Sequence, residues 1–136
     1  IGRLVEKLLF DASSLIYALK LRKLRIIYDN YIQWLTIYEV TNALWKEASL
    51  INSISLEEAS KIIKIFIEAI DFINILNPHP YEDEILKIAS ELGITAYDAS
   101  YVFLAKKNGL SLVTEDEKLR RKAENLVKVI SLSQIT

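Results

Sequence analysis

The sequence predicts an α/β fold built on a parallel sheet of five strands, and three observations carry that prediction. Short apolar runs alternate with amphipathic helical stretches along the whole chain. Most of the runs end in Asp, Asn, Ser or Thr, residues that stop a strand and cap the helix behind it. Successive runs are joined by about a dozen residues or more, the length of crossover that links parallel neighbours. Size agrees: 136 residues, 51% of them hydrophobic, suit one core over residues 1–136 and are too apolar for a disordered chain.

The elements follow in order. Lys7-Leu8-Leu9-Phe10 is an apolar run that stops at Asp11-Ala12-Ser13-Ser14, and behind it Leu15, Ile16, Ala18, Leu19 and Leu21 recur at helical spacing. Asp11 or a following serine caps that helix. Tyr31 to Leu35 alternates and is rich in β-formers, and Thr36 opens a second helix carrying Val40, Ala43, Leu44 and Ala48 on one face. Ser55-Leu56-Glu57-Glu58 is a capping box, followed by the widest apolar stripe of the chain, from Leu56 to Ile70. Phe72 to Leu76 is a third strand, stopped by Asn77-Pro78-His79-Pro80. The acidic opening Glu82-Asp83-Glu84 suits the positive end of a helix that runs to Leu92 and closes at Gly93. A further helix spans Tyr97 to Asn108 and closes at Gly109; Leu110 to Thr114 is the fourth strand, Glu117 to Glu124 a short helix, and Leu126 to Ile130 the fifth strand.

Composition narrows the function. Seventeen basic against eighteen acidic side chains leave a formal charge of -1, so no global positive field draws the chain to a polyanion, which must be held locally. No cysteine and a single histidine exclude disulfides, thiolate zinc and His-rich metal sites, so any metal sits on oxygen. The stretch Ile62–Ile70 is broken by Lys64 and Glu68 and falls short of the roughly 18 to 20 residues of a membrane span, so no membrane partner is expected. Ile1 to Glu6 lack a secretory layout, which makes cytoplasm the default location.

Four acids stand apart by position. Asp11 and Asp116 lie at strand ends, and Glu39 and Asp98 near helix starts. In open α/β sheets ligand sites gather at the carboxyl ends of strands, so these acids share a crevice if their strands are neighbours. An all-carboxylate cluster favours Mg²⁺ or Mn²⁺ and needs a cation to remain ionised near neutrality. Each acid also has a plain capping alternative: Asp11 and Asp116 as N-caps, Thr36-Ile37-Tyr38-Glu39 as a capping box, and Thr95-Ala96-Tyr97-Asp98 as the related T-x-x-D pattern.

The segments Leu8-Leu9-Phe10-Asp11-Ala12-Ser13, Glu39-Val40-Thr41-Asn42-Ala43-Leu44, Thr95-Ala96-Tyr97-Asp98-Ala99-Ser100-Tyr101 and Leu112-Val113-Thr114-Glu115-Asp116 closely resemble, in order and spacing, the motifs of PIN-domain ribonucleases. The likeness is greatest to the VapC-type toxins of toxin–antitoxin pairs and covers essentially the whole chain. It implies a three-layer α/β/α sandwich with its parallel sheet in the order 3-2-1-4-5. It implies that Asp11, Glu39, Asp98 and Asp116 are the catalytic metal-binding quartet, with Ser13 and Thr114 as supporting hydroxyls. It further implies an RNA substrate, a small antitoxin partner and pairing with a second copy of the chain. Asn42, one turn after Glu39, could reach the same crevice or simply face solvent.

Phosphodiester hydrolysis asks for an activated water and a place for negative charge, which a divalent metal supplies. Lys106 with Lys107, and Arg120-Arg121-Lys122, flank the expected site in sequence and are candidates for phosphate contact, with a solvated helix face as the plain alternative. Lys20, Arg22, Lys23 and Arg25 form another basic cluster. His79 lies between two prolines with no visible acidic partner and reads as a loop residue, and Trp45 as an interface aromatic. The competing readings are a PIN-like scaffold that binds partners without cutting, and a receiver-type phosphoacceptor domain. The second would require an Asp after the third strand and a lysine after the fifth, where this chain has Asn77 and Ser131.

Overall fold

The computed structural model describes residues 6–135. Five parallel strands, β1 (Leu8–Phe10), β2 (Tyr31–Gln33), β3 (Asn74–Leu76), β4 (Ser111–Val113) and β5 (Val129–Ile130), form one sheet in the order β3-β2-β1-β4-β5. The register is set by Leu9 opposite Tyr31, Leu8, Leu9 and Phe10 opposite Ser111, Leu112 and Val113, Tyr31 opposite Asn74, and Leu112 opposite Val129. Every strand is shorter than its apolar run, because the residues on either side turn into loops or helix caps rather than extending the ladder.

The pleat divides the apolar side chains between two cores. Leu8, Phe10, Ile32 and Val113 face one side, where they meet α1 (Ala12–Lys20), α2 (Trp34–Trp45) and α3 (Leu56–Ile70) through Leu15, Leu19, Val40, Leu44, Ile62 and Phe66. Leu9 and Leu112 face the other, against α4 (Glu82–Leu92), α5 (Ala96–Asn108) and α6 (Glu117–Ala123) through Ile85, Val102, Phe103 and Leu119. Helices on both faces are what a parallel sheet needs, since its strands are apolar on both sides. The arrangement is the α/β/α sandwich in the order 3-2-1-4-5.

Helix ends follow local chemistry. Ser55 and Glu58 form the capping box of α3, and Thr95 caps α5 by accepting from the Asp98 N–H at 3.0 Å. Gly93 and Gly109 end α4 and α5 at φ of 65° and 64°, the left-handed conformation that a Cβ disfavours. The second helix differs from expectation. It starts at Trp34, two residues before Thr36, because Gln33 and Thr36 cap it reciprocally, and Glu39 therefore takes no part in a capping box. Its far end continues into a π-helical turn over Lys46–Ile51, stopped by Asn52 at φ 59°.

Candidate active site

The strand order places the ends of β1 and β4 side by side at the centre of the sheet, and Asp11 follows directly on β1. Its backbone N–H continues the ladder to Val113 O at 3.1 Å, and its side chain caps α1 by accepting from the Ser14 N–H at 3.0 Å. Both carboxylate oxygens are held. Ser13 Oγ donates to Oδ1 at 2.7 Å, and Thr114 Oγ1 donates to Oδ2 in a short hydrogen bond. Each hydroxyl is oriented in turn by the loop after β4, because Ser13 accepts from the Glu115 N–H at 3.0 Å and Thr114 from the Asp116 N–H at 3.1 Å. Asp11 is 7% exposed, and burial raises its pKa against the lowering effect of the hydrogen bonds from Thr114, Ser14 and Ser13.

Glu39, half-buried on α2, accepts from the Tyr101 hydroxyl at 2.7 Å. An ionised carboxylate is only an acceptor, so Tyr101 must donate here and accept from Thr36 Oγ1, 2.7 Å away, while Thr36 accepts from the Gln33 N–H at 3.1 Å. The chain of donors thus runs from the backbone at the end of β2 to Glu39. Tyr101 is 1% exposed, and burial together with the Glu39 charge pushes its pKa well above the usual phenol range, so it stays a donor. Asp98 is the third residue of α5; the Thr95 hydroxyl is near enough to its carboxylate to lower its pKa, and among the described residues it forms no ion pair. Asp116 caps α6, accepting from the N–H groups of Lys118 at 2.9 Å and Leu119 at 3.2 Å. Capping and site placement coexist in Asp11 and Asp116.

Asp11, Ser13, Glu39, Asp98, Tyr101 and Asp116 line one cavity of about 190 Å³. None of the four acids forms an ion pair among the described residues. Burial raises the pKa of Glu39, and the charges of Asp11 and Asp98 add to it; burial likewise raises that of Asp98, helped by Asp11 and Asp116. Among the described residues no three acidic or imidazole side chains form a ready chelating cluster, which fits like charges facing one another across a cavity. Uncompensated carboxylates with no nitrogen or sulfur donor suit a hard divalent cation, and the pair of hydroxyls locking Asp11 is the kind of support that fixes a metal ligand.

The other expected residues fall elsewhere. Thr114 stands beside the cavity through its bond to Asp11, whereas Asn42 is exposed on α2 and is not among the lining residues. Lys106 and Lys107 stand eight and nine residues along α5 from Asp98, roughly 12 Å at the helical rise, and line a separate cavity of about 540 Å³ with Tyr81 and Phe103. Lys107 Nζ lies 4.5 Å from the centre of the Tyr81 ring. Arg120 is one turn after Asp116, with Glu117 at 3.5 Å, and Arg121 is exposed. His79 does have an acidic partner, contrary to the sequence reading: its Nδ1 lies 2.6 Å from Glu82 Oε2, exposed and outside the acid-lined cavity. Tyr101 and Gln33 escaped the sequence reading; Tyr101 had a signal, since it stands at i+3 from Asp98 on one helix face.

A five-stranded parallel sheet in this order, with an acid-lined cavity where its central strands end, defines the PIN-type α/β/α architecture. The chain belongs to the PIN-domain family, whose model matches residues 8–125. It is 39% identical to Exonuclease VapC9 of Pyrobaculum aerophilum over 132 residues, 91% of either chain. It is 41% identical to Ribonuclease VapC3 of the same organism over 97 residues, 68% of this chain and 70% of that one. The crystal structure of PAE2754, also from Pyrobaculum aerophilum, superimposes with a TM-score of 0.80 at 32% identity, covering 98% of this chain and 95% of the other.

Proposed function

We propose that this chain, a single PIN domain over residues 1–136, is a divalent-cation-dependent endoribonuclease of the VapC type, the toxin of a toxin–antitoxin pair. The observation that carries the reading is the single cavity lined by four carboxylates, none of them ion-paired among the described residues. Mg²⁺ or Mn²⁺ would be held by Asp11 and Asp98, with Asp116 and Glu39 completing the set directly or through water. Bound there, the cation supplies Lewis-acid chemistry: it acidifies water at neutral pH and offsets charge on phosphoryl oxygens. Ser13 and Thr114 keep both oxygens of Asp11 aimed, and Tyr101 keeps Glu39 turned inward. Arg120 and Arg121, on the helix that Asp116 caps, would contact phosphates of a bound RNA, while Lys106 and Lys107 line a different cavity.

The antitoxin surface we assign to the exposed apolar side chains Trp34, Tyr38, Trp45, Leu50, Ile51 and Leu56, along α2, its π-helical extension and the start of α3. An apolar strip of this kind on a surface otherwise rich in charge marks a protein interface. Pairing with a second copy of the chain belongs to the same proposal. No helix among the described residues is long and apolar enough to cross a membrane. A scaffold without activity is disfavoured because all four acids and both supporting hydroxyls are present.

The test is cleavage of a panel of structured RNAs with Mg²⁺, Mn²⁺ or EDTA, using Asp98→Asn as control and end-labelled substrates to separate internal from terminal cuts. Internal products that need the cation and the intact carboxylate are expected. Activity that survives both EDTA and the substitution would reject the mechanism.

A further inference from the structure

Gln33 is the last residue of β2 and the N-cap of α2, and its side chain reaches α5, so three elements meet at one residue. It is 0% exposed. Its backbone N–H donates to Thr36 Oγ1 at 3.1 Å, and its Oε1 is turned to the start of α2, where it faces the Thr36 N–H without closing a full hydrogen bond. The other end of the amide, Nε2, donates to Ser100 Oγ at 2.7 Å, and Ser100 Oγ gives its one proton to the Tyr97 carbonyl at 2.6 Å. Thr36, the other half of the cap, donates to the Tyr101 hydroxyl at 2.7 Å. The end of β2 and the start of α2 thus hold two successive residues of α5, Ser100 and Tyr101, through buried bonds.

Those two bonds fix the attitude of a helix. Successive residues of an α-helix point about 100° apart, so anchors at Ser100 and Tyr101 set both the height of α5 and its rotation about its own axis. Asp98 projects from the same turn, and its support from Thr95 moves with the helix. Glu39 depends on the same anchors from the other side, because its hydrogen bond comes from Tyr101. Asp11 and Asp116 are held otherwise, the first directly after β1 between hydroxyls and the second as the cap of α6. With side chains about 5 to 6 Å from the helix axis, a rotation of about 10° would carry the Asp98 carboxylate about 1 Å. That is several times the roughly 0.2 Å within which a metal–ligand distance must fall.

We propose that Gln33 is a positioning residue for the acid-lined cavity: its amide, bridging the start of α2 and Ser100, sets the rotation of α5 and with it the separation of Asp98 from Glu39. The inference rests on the reading of that cavity as a cation-dependent nuclease site. A role in packing alone makes a different demand. A buried amide whose carbonyl is poorly paired adds little to stability, and an apolar side chain of the same length fills the same space. Gln33→Met therefore separates the two roles.

The test compares the wild type with Gln33→Met, Ser100→Ala and the double variant, and uses Gly109→Ala as a variant destabilised far from the acids. In titration calorimetry each single variant should bind Mn²⁺ about tenfold more weakly, the lower end of the range for groups that orient metal ligands. In RNA cleavage kcat should fall by about the same factor, with KM changed less than about twofold. The double variant should be no worse than the more impaired single one, because both changes remove the same bond. In EDTA, Gln33→Met should melt within about 4 °C of the wild type, the scale of one net hydrogen bond. Amides in the first two turns of α5 should exchange faster in the ion-free variant than in the ion-free wild type. Should Gln33→Met melt far lower, Ser100→Ala, which leaves the cap of α2 intact, carries the comparison with the same expected losses. Wild-type Mn²⁺ affinity in both single variants, losses that add in the double variant, or an equal loss of affinity in Gly109→Ala would overturn the positioning role while leaving the nuclease reading intact. A wild-type chain that neither binds Mn²⁺ nor cleaves RNA would overturn the nuclease reading and the positioning role with it.

Discussion

Replacing Asp98 by Asn should move the stability of this protein in opposite directions with and without a cation. In the ion-free chain, burial and then the charges of Asp11 and Asp116 raise the Asp98 pKa. The folded state therefore holds that proton more tightly than the unfolded chain does, so ionisation opposes folding. The contribution is most favourable below the unfolded carboxylate value and is lost as pH rises through the folded one. Asn is neutral at every pH, so in EDTA at pH 7 the variant should melt above the wild type. The cation reverses the comparison. A ligand at 100 times its Kd adds about 2.7 kcal/mol. Unfolding entropy of about 2.1 cal/mol/K per residue over 136 residues makes 1 kcal/mol worth roughly 3 to 4 °C, so saturating Mn²⁺ should raise the wild-type Tm by about 9 °C. The variant, lacking a ligand, should show less than half of that rise. Differential scanning calorimetry in EDTA, Mg²⁺ and Mn²⁺ reads both effects from one pair of proteins. A variant that melts lower than wild type in EDTA and keeps the full cation shift would refute the electrostatic account of the cavity.

Three further perturbations separate support from packing. Tyr101→Phe keeps the buried ring but leaves Thr36 and Glu39 without their shared partner, so it should lose about 1 to 2 kcal/mol in urea unfolding and at least tenfold in Mn²⁺-supported cleavage. Thr114→Val releases one oxygen of Asp11 and removes the acceptor of the Asp116 N–H; Mn²⁺ affinity measured by titration calorimetry should fall about 10- to 100-fold. Gly109→Ala, at φ 64° and remote from the acids, should cost about 1 kcal/mol in thermal unfolding with cleavage per folded molecule unchanged.

The alternation of apolar runs with capped helices was enough to find all five strands, because each run is bounded by a residue with a local reason to stop the ladder. Boundaries differ where a cap is unconventional: Gln33 is not a favoured N-cap, so the sequence pattern puts the start of α2 at Thr36 and offers Glu39 a capping alternative that the structure removes. Strand order came from motif resemblance, since periodicity says nothing about which strands are neighbours. The acids were visible through their positions, but the bond between Tyr101 and Glu39 joins residues 62 apart and exists only once α5 crosses the end of β2. Closeness in sequence ignores helical rise, and two turns of α5 set Lys106 and Lys107 away from Asp98 along the helix. His79 and Glu82 pair across three residues, a contact that the Asn77–Pro80 turn pattern does not signal by itself.

The bond from Thr114 to Asp11 ties together residues 103 apart, nearly the two ends of the chain. In chain order Asp11, Glu39 and Asp98 precede Thr114 and Asp116; Ser13 and Ser14 hold one oxygen of Asp11 locally, but the other is held only when β4 lies beside β1. The clamp on the first carboxylate is therefore a long-range product of the sheet, assembled only when β4 pairs with β1.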